Sequence, residues 1–253
     1  MKGVINMRYL VMSDIHGMGG LWEQVKQELE QEETTLIFLG DACDRGPDGY
    51  KIMKEMLSMP NVIYLMGNHE DLFVRSCFEI KNAAANDGLT VREYANQFNT
   101  IADMMWSGEY DTQLHMSNGG VPTIEAWIAD GAPVDIVSKI AKLPINLQMG
   151  KYDFCHAGCS RENWGSGRDM LWDRNHFEEK WIEGRVLIHG HTPVKYVYDC
   201  IEEEVPRVWK PMKYQPNKID MDTCAFRTDT ICLLDLETND IIAFTPNQEL
   251  PTF

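Results

Sequence analysis

Three near-continuous apolar runs, Tyr9-Leu10-Val11-Met12, Leu36-Ile37-Phe38-Leu39 and Val62-Ile63-Tyr64-Leu65, each stop at a short polar run. The polar runs are Ser13-Asp14-Ile15-His16-Gly17, Gly40-Asp41-Ala42-Cys43-Asp44-Arg45-Gly46 and Gly67-Asn68-His69-Glu70. Apolar segments of this length without polar alternation belong to strands buried on both faces. Between them the period changes. Leu21, Val25 and Leu29 recur four apart, and Ile52, Met56 and Leu57 form a second helical stripe. Strand, helix, strand, helix, strand predicts crossover units and a mostly parallel sheet. The polar runs then sit at strand carboxyl ends, the edge where open α/β sheets bind ligands.

A fourth polar run, Ile188-His189-Gly190-His191-Thr192-Pro193, follows the strand-like Val186-Leu187-Ile188. An Asp or Asn after a strand also serves as a turn former or helix cap, so no single run decides the matter. Together the four offer carboxylate, imidazole and amide donors of the kind that bind Mn²⁺, Fe, Zn²⁺ or, less tightly, Mg²⁺. Read jointly, they describe a two-metal phosphoesterase site.

Residues 71–141 read as helices and loops, punctuated by Asn118-Gly119-Gly120 and Gly131-Ala132-Pro133, and are expected to form a helical insertion within one domain spanning 1–253. Strand returns at Tyr152-Asp153-Phe154-Cys155, ending in His156-Ala157-Gly158, and the tail predicts a β-hairpin pairing residues 231–236 with 241–244. At 44% hydrophobic and 25% charged, the 253-residue chain has ample material for a core. A net charge of −16 leaves no broad basic face for a nucleic-acid backbone, so no nucleic-acid polymer is expected as partner. No apolar run is long enough to span a membrane, and Met1–Asn6 is too short for a signal peptide, which makes the cytoplasm the expected compartment. Seven cysteines, odd in number and mostly in apolar stretches, read as reduced thiols. Cys155 and Cys159 flank His156 but belong to no paired zinc-ligand motif.

These motifs resemble the phosphoprotein phosphatase family of calcineurin-like metallophosphoesterases, most closely its small bacterial and phage members of the lambda phosphatase type. The resemblance runs from Asp14 through Asn118-Gly119-Gly120, His156-Ala157, Leu171-Trp172-Asp173-Arg174 and Gly190-His191-Thr192-Pro193 to Ile219-Asp220. It implies an α/β fold, a β-sandwich flanked by helices, and two divalent ions, Mn²⁺ foremost. By motif, Asp14 and His16 would hold the first ion, Asp41 would bridge both, and Asn68, His156 and His191 would hold the second. Arg45 and Arg174, with Asn68, would contact the phosphate, a task suited to planar guanidinium. His69 would protonate the leaving oxygen, with Asp44 fixing its orientation. The implied reaction is hydrolysis of a phosphomonoester by direct attack of a metal-bridging water.

His189 is expected to end a strand as a satisfied core residue or one supporting the ligands, and His115 and His176, outside any motif, to serve surface or packing roles. Three positions depart from the family pattern: Ser13 where Gly is usual, Ala157 where Gly is common, and Met66 where Arg often precedes Gly67. The expected substrates are phosphoserine and phosphothreonine proteins, with small aryl phosphates also accepted. The alternative is hydrolysis of a nucleotide or a symmetrical dinucleoside tetraphosphate, against which Glu70 counts, because those hydrolases typically read Gly-Asn-His-Asp. A non-catalytic phosphate-binding protein is a third reading, disfavoured by the complete set of ligands, acid and arginines.

Overall fold

The computed structural model describes residues 7–30, 33–201, 208–246 and 249–252; Met1–Asn6 lie outside the described residues. The chain begins β1 (Arg8–Met12), α1 (Gly19–Leu29), β2 (Thr34–Phe38), α2 (Gly49–Ser58) and β3 (Val62–Tyr64). Six helices follow: α3 (Asn68–Asn86), α4 (Val91–Ala95), α5 (Ile101–Ser107), α6 (Tyr110–Ser117), α7 (Val121–Ala129) and α8 (Val134–Ile140). Then come β4 (Asn146–Met149), β5 (Tyr152–Cys155), α9 (Gly167–Trp172), β6 (Val186–His189), α10 (Val194–Ile201), β7 (Met212–Tyr214), β8 (Lys218–Asp220), α11 (Ala225–Thr228), β9 (Ile231–Asp235) and β10 (Ile241–Phe244).

The strands form two five-stranded sheets, ordered β10-β9-β1-β2-β3 and β4-β5-β6-β8-β7. In the first, β1, β2 and β3 run parallel, with Leu10 opposite Leu36 and Phe38 opposite Tyr64, while β9 and β10 add an antiparallel edge. In the second, β5, β6 and β8 are parallel and β4 and β7 pair antiparallel at the two edges. Neither sheet is purely parallel: the crossover reading holds for the centres, and hairpins supply the rims.

The double-sided burial of the apolar runs has two sources, set by the period of two along a strand. Leu10, Met12, Leu36 and Phe38 point into a cluster shared with α1, α2 and the helices after β3, including Trp22, Ile52, Phe73 and Trp127. Their alternates Val11, Ile37, Leu39 and Leu65 pack with Phe154, Ile188 and Met221 of the second sheet. The result is a sandwich with helices on its outer face, as the resemblance implies. The helices of the expected insertion share the first cluster through Met104, Ile124 and Ile140.

Parallel strands end on the same edge. That edge carries the turns after β1, β2 and β3, and the turns after β5 and β6 meet it from the other sheet. Within each sheet the turns are bonded to one another, Asp14 N donating to Gly40 O at 3.1 Å and Gly190 N to His156 O at 2.7 Å, and His191 N joins the two sets by donating to Asp14 Oδ2 at 3.0 Å.

Candidate metal centre

The six residues expected as metal ligands come together at this edge, each no more than 6% exposed. In both carboxylates one oxygen is held by the protein and the other faces imidazole. Asp14 Oδ2 accepts from the His191 backbone N–H at 3.0 Å and from the Ser13 hydroxyl, leaving Oδ1 3.9 Å from His16 Nε2. Asp41 Oδ1 accepts from the His69 backbone N–H at 3.0 Å, and Oδ2 lies 3.6 Å from His16 Nε2 and 3.3 Å from His156 Nε2. On the other side, Asn68 Oδ1 is 2.8 Å from both His156 Nε2 and His191 Nδ1.

The donor set fits divalent ions. His16 Nδ1 donates to Cys43 O at 2.9 Å and His156 Nδ1 to Leu39 O at 3.0 Å. Each bond fixes the tautomer whose Nε2 lone pair points inward, the usual arrangement behind a metal-bound histidine. The inward atoms fall into two groups with each member within 4.8 Å of the others, one of His16, Asp41 and His69, the other of Asp41, His156 and His191. Asp41 is common to both. His69 enters the first group through Nε2, 3.8 Å from Asp41 Oδ2 and 3.3 Å from Arg45 Nη2, while its Nδ1 is engaged with Asp44.

Electrostatics differ across the cluster, Asp41 drawing positive charge onto one imidazole while burial holds His16 well below its ordinary value. Burial lowers the His156 pKa, yet Asp41 outweighs it and lifts the value to about 9. His191 is held well below its ordinary value by burial and then by His156 and Arg174. A field that draws a proton onto a buried imidazole beside Asp41 also favours a divalent cation.

Such close packing comes from an unusual backbone. Asp14, His16, Asp41, Asp44, Arg45 and His191 all adopt positive φ, between 45° and 69°. Non-glycine residues there cost of order 1–3 kcal/mol each and persist where surrounding bonds over-determine them. Glu70 is one such clamp. Wholly buried, it accepts from Asp41 N (2.7 Å), Ala42 N (2.8 Å), Gly67 N (2.8 Å) and the Tyr64 hydroxyl (2.7 Å). Glu70 thus splices the second polar run to the third, a structural role compatible with either substrate class. Gly67 is required for this splice: a Cβ there would come within 2.1 Å of Asp41 Oδ1.

The expected acid and its partner are in contact, with His69 Nδ1 donating to Asp44 Oδ2 at 2.7 Å. Burial opposes a charged His69, but Asp41 and Asp44 raise its pKa above the ordinary value. Burial would likewise raise Asp44, and His115 followed by His69 holds it well below the carboxylate range. Arg45 is exposed, with Nη2 3.3 Å from His69 Nε2 and its guanidinium 4.4 Å over the Phe226 ring. Arg174 is exposed as well, its Nε donating to His191 Nε2 at 3.1 Å.

Of the surface and packing roles expected for His115 and His176, both take the buried one. His115 is buried against Asp44, 2.9 Å from both carboxylate oxygens, and Thr123 Oγ1 donates to Asp44 Oδ1 at 2.7 Å. His176 is buried too, donating from Nε2 to Ala157 O at 3.0 Å, while the buried Lys218 ammonium lies 3.2 Å from Nδ1. His189 is satisfied by Gly190 O (3.0 Å) and the Tyr214 hydroxyl (2.6 Å), as expected of a supporting core residue. Of the departures from the family pattern, Ser13 gives Asp14 an added donor and Met66 is buried. Sequence reading missed Phe226, presented by the four-residue helix α11 with its ring edge-on to His16 at 5.8 Å. Only its place six residues past Asp220 could have hinted at it.

A family model described as calcineurin-like phosphoesterase matches residues 7–221. No curated protein matches by sequence. Among solved structures, a protein described provisionally as a diadenosine tetraphosphatase superposes with a TM-score of 0.58 at 15% identity, covering 95% of this chain and 94% of its own. A cold-active protein-tyrosine phosphatase from a psychrophilic Shewanella gives 0.53 at 15% identity, covering 97% and 80%. A protein serine/threonine phosphatase from Saccharomyces cerevisiae gives 0.53 at 12% identity, covering 98% and 82%. At these identities the likeness is one of fold.

Proposed function

The chain belongs to the calcineurin-like phosphoesterase family, and from that premise we propose that it is a two-metal phosphomonoesterase acting on phosphoserine and phosphothreonine proteins. The observation that supports the two-metal part of this reading is Asp41, whose Oδ2 faces two groups of buried donors while its backbone is locked by Glu70; the substrate class follows the family resemblance of the motifs. In this proposal Asp14, His16 and Asp41 hold one ion, and Asp41, Asn68, His156 and His191 the other, with Mn²⁺ the favoured metal. When bound, the ions supply Lewis-acid charge and lower the pKa of a coordinated water.

The chain's own groups do the rest. Arg45 and Arg174 stand at the mouth of the site, where their planar forks can bind phosphate oxygens and orient the ester. His69, whose protonated form Asp41 and Asp44 favour, presents Nε2 beside Arg45, within reach of a leaving oxygen held there. Asp44 keeps the His69 proton on Nδ1, so the proton given up is the one on Nε2. The low exposure of all six ligands excludes bulk water from behind the phosphate.

A second reading, hydrolysis of a dinucleoside tetraphosphate, gains from the first of the structural neighbours. We place the protein in the cytoplasm as one domain; among the described residues no helix is long and apolar enough to cross a membrane. Purified protein with Mn²⁺, assayed on phosphoserine and phosphothreonine peptides, diadenosine tetraphosphate and sugar phosphates, tests the reading. The peptides should be turned over with the highest kcat/KM; a preference for the dinucleotide transfers the assignment to the second reading, and turnover of none returns the chain to a binding role.

A further inference from the structure

His115 lies near the end of α6, 71 residues away in sequence from the carboxylate it touches. It is fully buried, and its Nε2 is 2.9 Å from each oxygen of Asp44. An ionised carboxylate only accepts, so Nε2 carries the proton that faces Asp44, while Nδ1 lies 3.0 Å from Ser76 Oγ, a hydroxyl that donates to Asp111 O at 3.4 Å. A donor equidistant from two oxygens sits on the carboxylate's bisector and fixes the direction in which the group points. Thr123 completes the arrangement: its Oγ1 accepts from the Asp44 backbone N–H at 2.9 Å and donates to Oδ1 at 2.7 Å. Oδ2 is thereby aimed at His69 Nδ1.

The surrounding chain is shaped to seat this ring. A Cβ at Gly120 would lie 2.3 Å from His115 Cδ2 and 2.4 Å from Nε2, so a side chain there would displace it. The neighbouring Gly119, at φ 93°, accepts from Arg45 N at 2.9 Å. Phe73 closes the other side, edge-on at 6.4 Å. One turn of the helical segment therefore positions both Arg45 and the histidine behind Asp44.

We infer that His115 is a positioning residue that sets the orientation of the Asp44–His69 pair, and hence the direction in which His69 presents its Nε2. The inference rests on the role proposed above for that pair. It assigns the helices after β3 a part in leaving-group protonation.

His115→Leu removes the donor at similar volume, and His115→Gln keeps an N–H within reach of Asp44. On a phosphoserine peptide the leucine variant should lose about tenfold in kcat, the scale of one hydrogen bond to a charged group, with KM unchanged. On p-nitrophenyl phosphate, which needs little protonation to leave, the loss should be under about twofold. The glutamine variant should recover most of the peptide activity. Proton NMR of the metal-free protein gives an independent readout: a downfield His69 Nδ1–H resonance, assigned by its disappearance in His69→Asn, should persist in the glutamine variant and move upfield in the leucine variant. Should the leucine variant not fold, His115→Asn, polar but too short to reach Asp44, takes its place with the same expectation. An unchanged resonance, or equal loss on both substrates, overturns the inference. A shifted resonance in a protein that hydrolyses neither substrate overturns the functional reading and leaves the positioning role standing.

Discussion

Replacing Glu70 by glutamine tests how the ligand loops are held. The carboxylate accepts two bonds on each oxygen: Ala42 N and Tyr64 Oη on Oε1, Asp41 N and Gly67 N on Oε2. An amide has one oxygen, so two of these donors must face an NH₂ group. The cheaper placement puts the nitrogen at the Oε1 side, where the Tyr64 hydroxyl can turn to accept and only the Ala42 N–H is orphaned. An orphaned buried donor costs about 1–3 kcal/mol, and losing a charged acceptor weakens the remaining pair by roughly 1 kcal/mol. Glu70→Gln should therefore destabilise the fold by about 2–4 kcal/mol, a large share of the 5–15 kcal/mol typical of a domain. Urea unfolding in chelator reads this without linkage to metal binding. In the folded variant, Mn²⁺ affinity should fall about tenfold or more, as when a group supporting a ligand is removed. A stability change under about 0.5 kcal/mol, the range of ordinary surface substitutions, with Mn²⁺ affinity intact would refute the clamp.

Other outcomes follow from individual contacts. His69→Asn should lose far more rate on a phosphoserine peptide than on p-nitrophenyl phosphate, with metal content unchanged; equal losses would make His69 structural. Arg174→Ala should lower kcat/KM by about 10²-fold, the scale of one preorganised charged contact, and leave metal stoichiometry untouched. Burial would raise the Asp153 pKa, but Arg185, bonded through Nε at 2.6 Å and Nη2 at 2.5 Å, holds it below the carboxylate range. That depressed folded pKa contributes stability present above about pH 4, the unfolded value, and lost as pH falls through the folded one. Asp153→Asn should consequently lower the urea midpoint at pH 7, with the gap from the parent narrowing below about pH 4.

The candidate ligands were legible because each polar run is contiguous and follows a buried strand, so one short window contains both the strand and its chemistry. Asp14, Asp41, Asn68 and His191 could be found that way. His115 could not, because its partner lies 71 residues off and nothing in Gln113-Leu114-His115-Met116 distinguishes a buried donor from a solvated one. Glu70 was visible, but its structural part was not, since only the fold shows its four bonds to neighbouring loops and Tyr64. The edge strands β4 and β7 escaped for a different reason: Asn146-Leu147-Gln148-Met149 and Met212-Lys213-Tyr214 are short and half polar, as edge strands facing water tend to be. The positive φ values at the site carry no sequence signature beyond the tolerance of Asp for that region.

In the proposed function one carboxylate, Asp41, serves two ions. Calorimetric titration of the metal-stripped protein with Mn²⁺, run side by side on the parent and Asp41→Asn, tests it most directly. The parent should bind two ions per chain, and the variant should lose at least one site and nearly all activity, whereas Ser13→Gly should keep both. Two ions and near-normal turnover in Asp41→Asn, or a single site in the parent, would contradict the account.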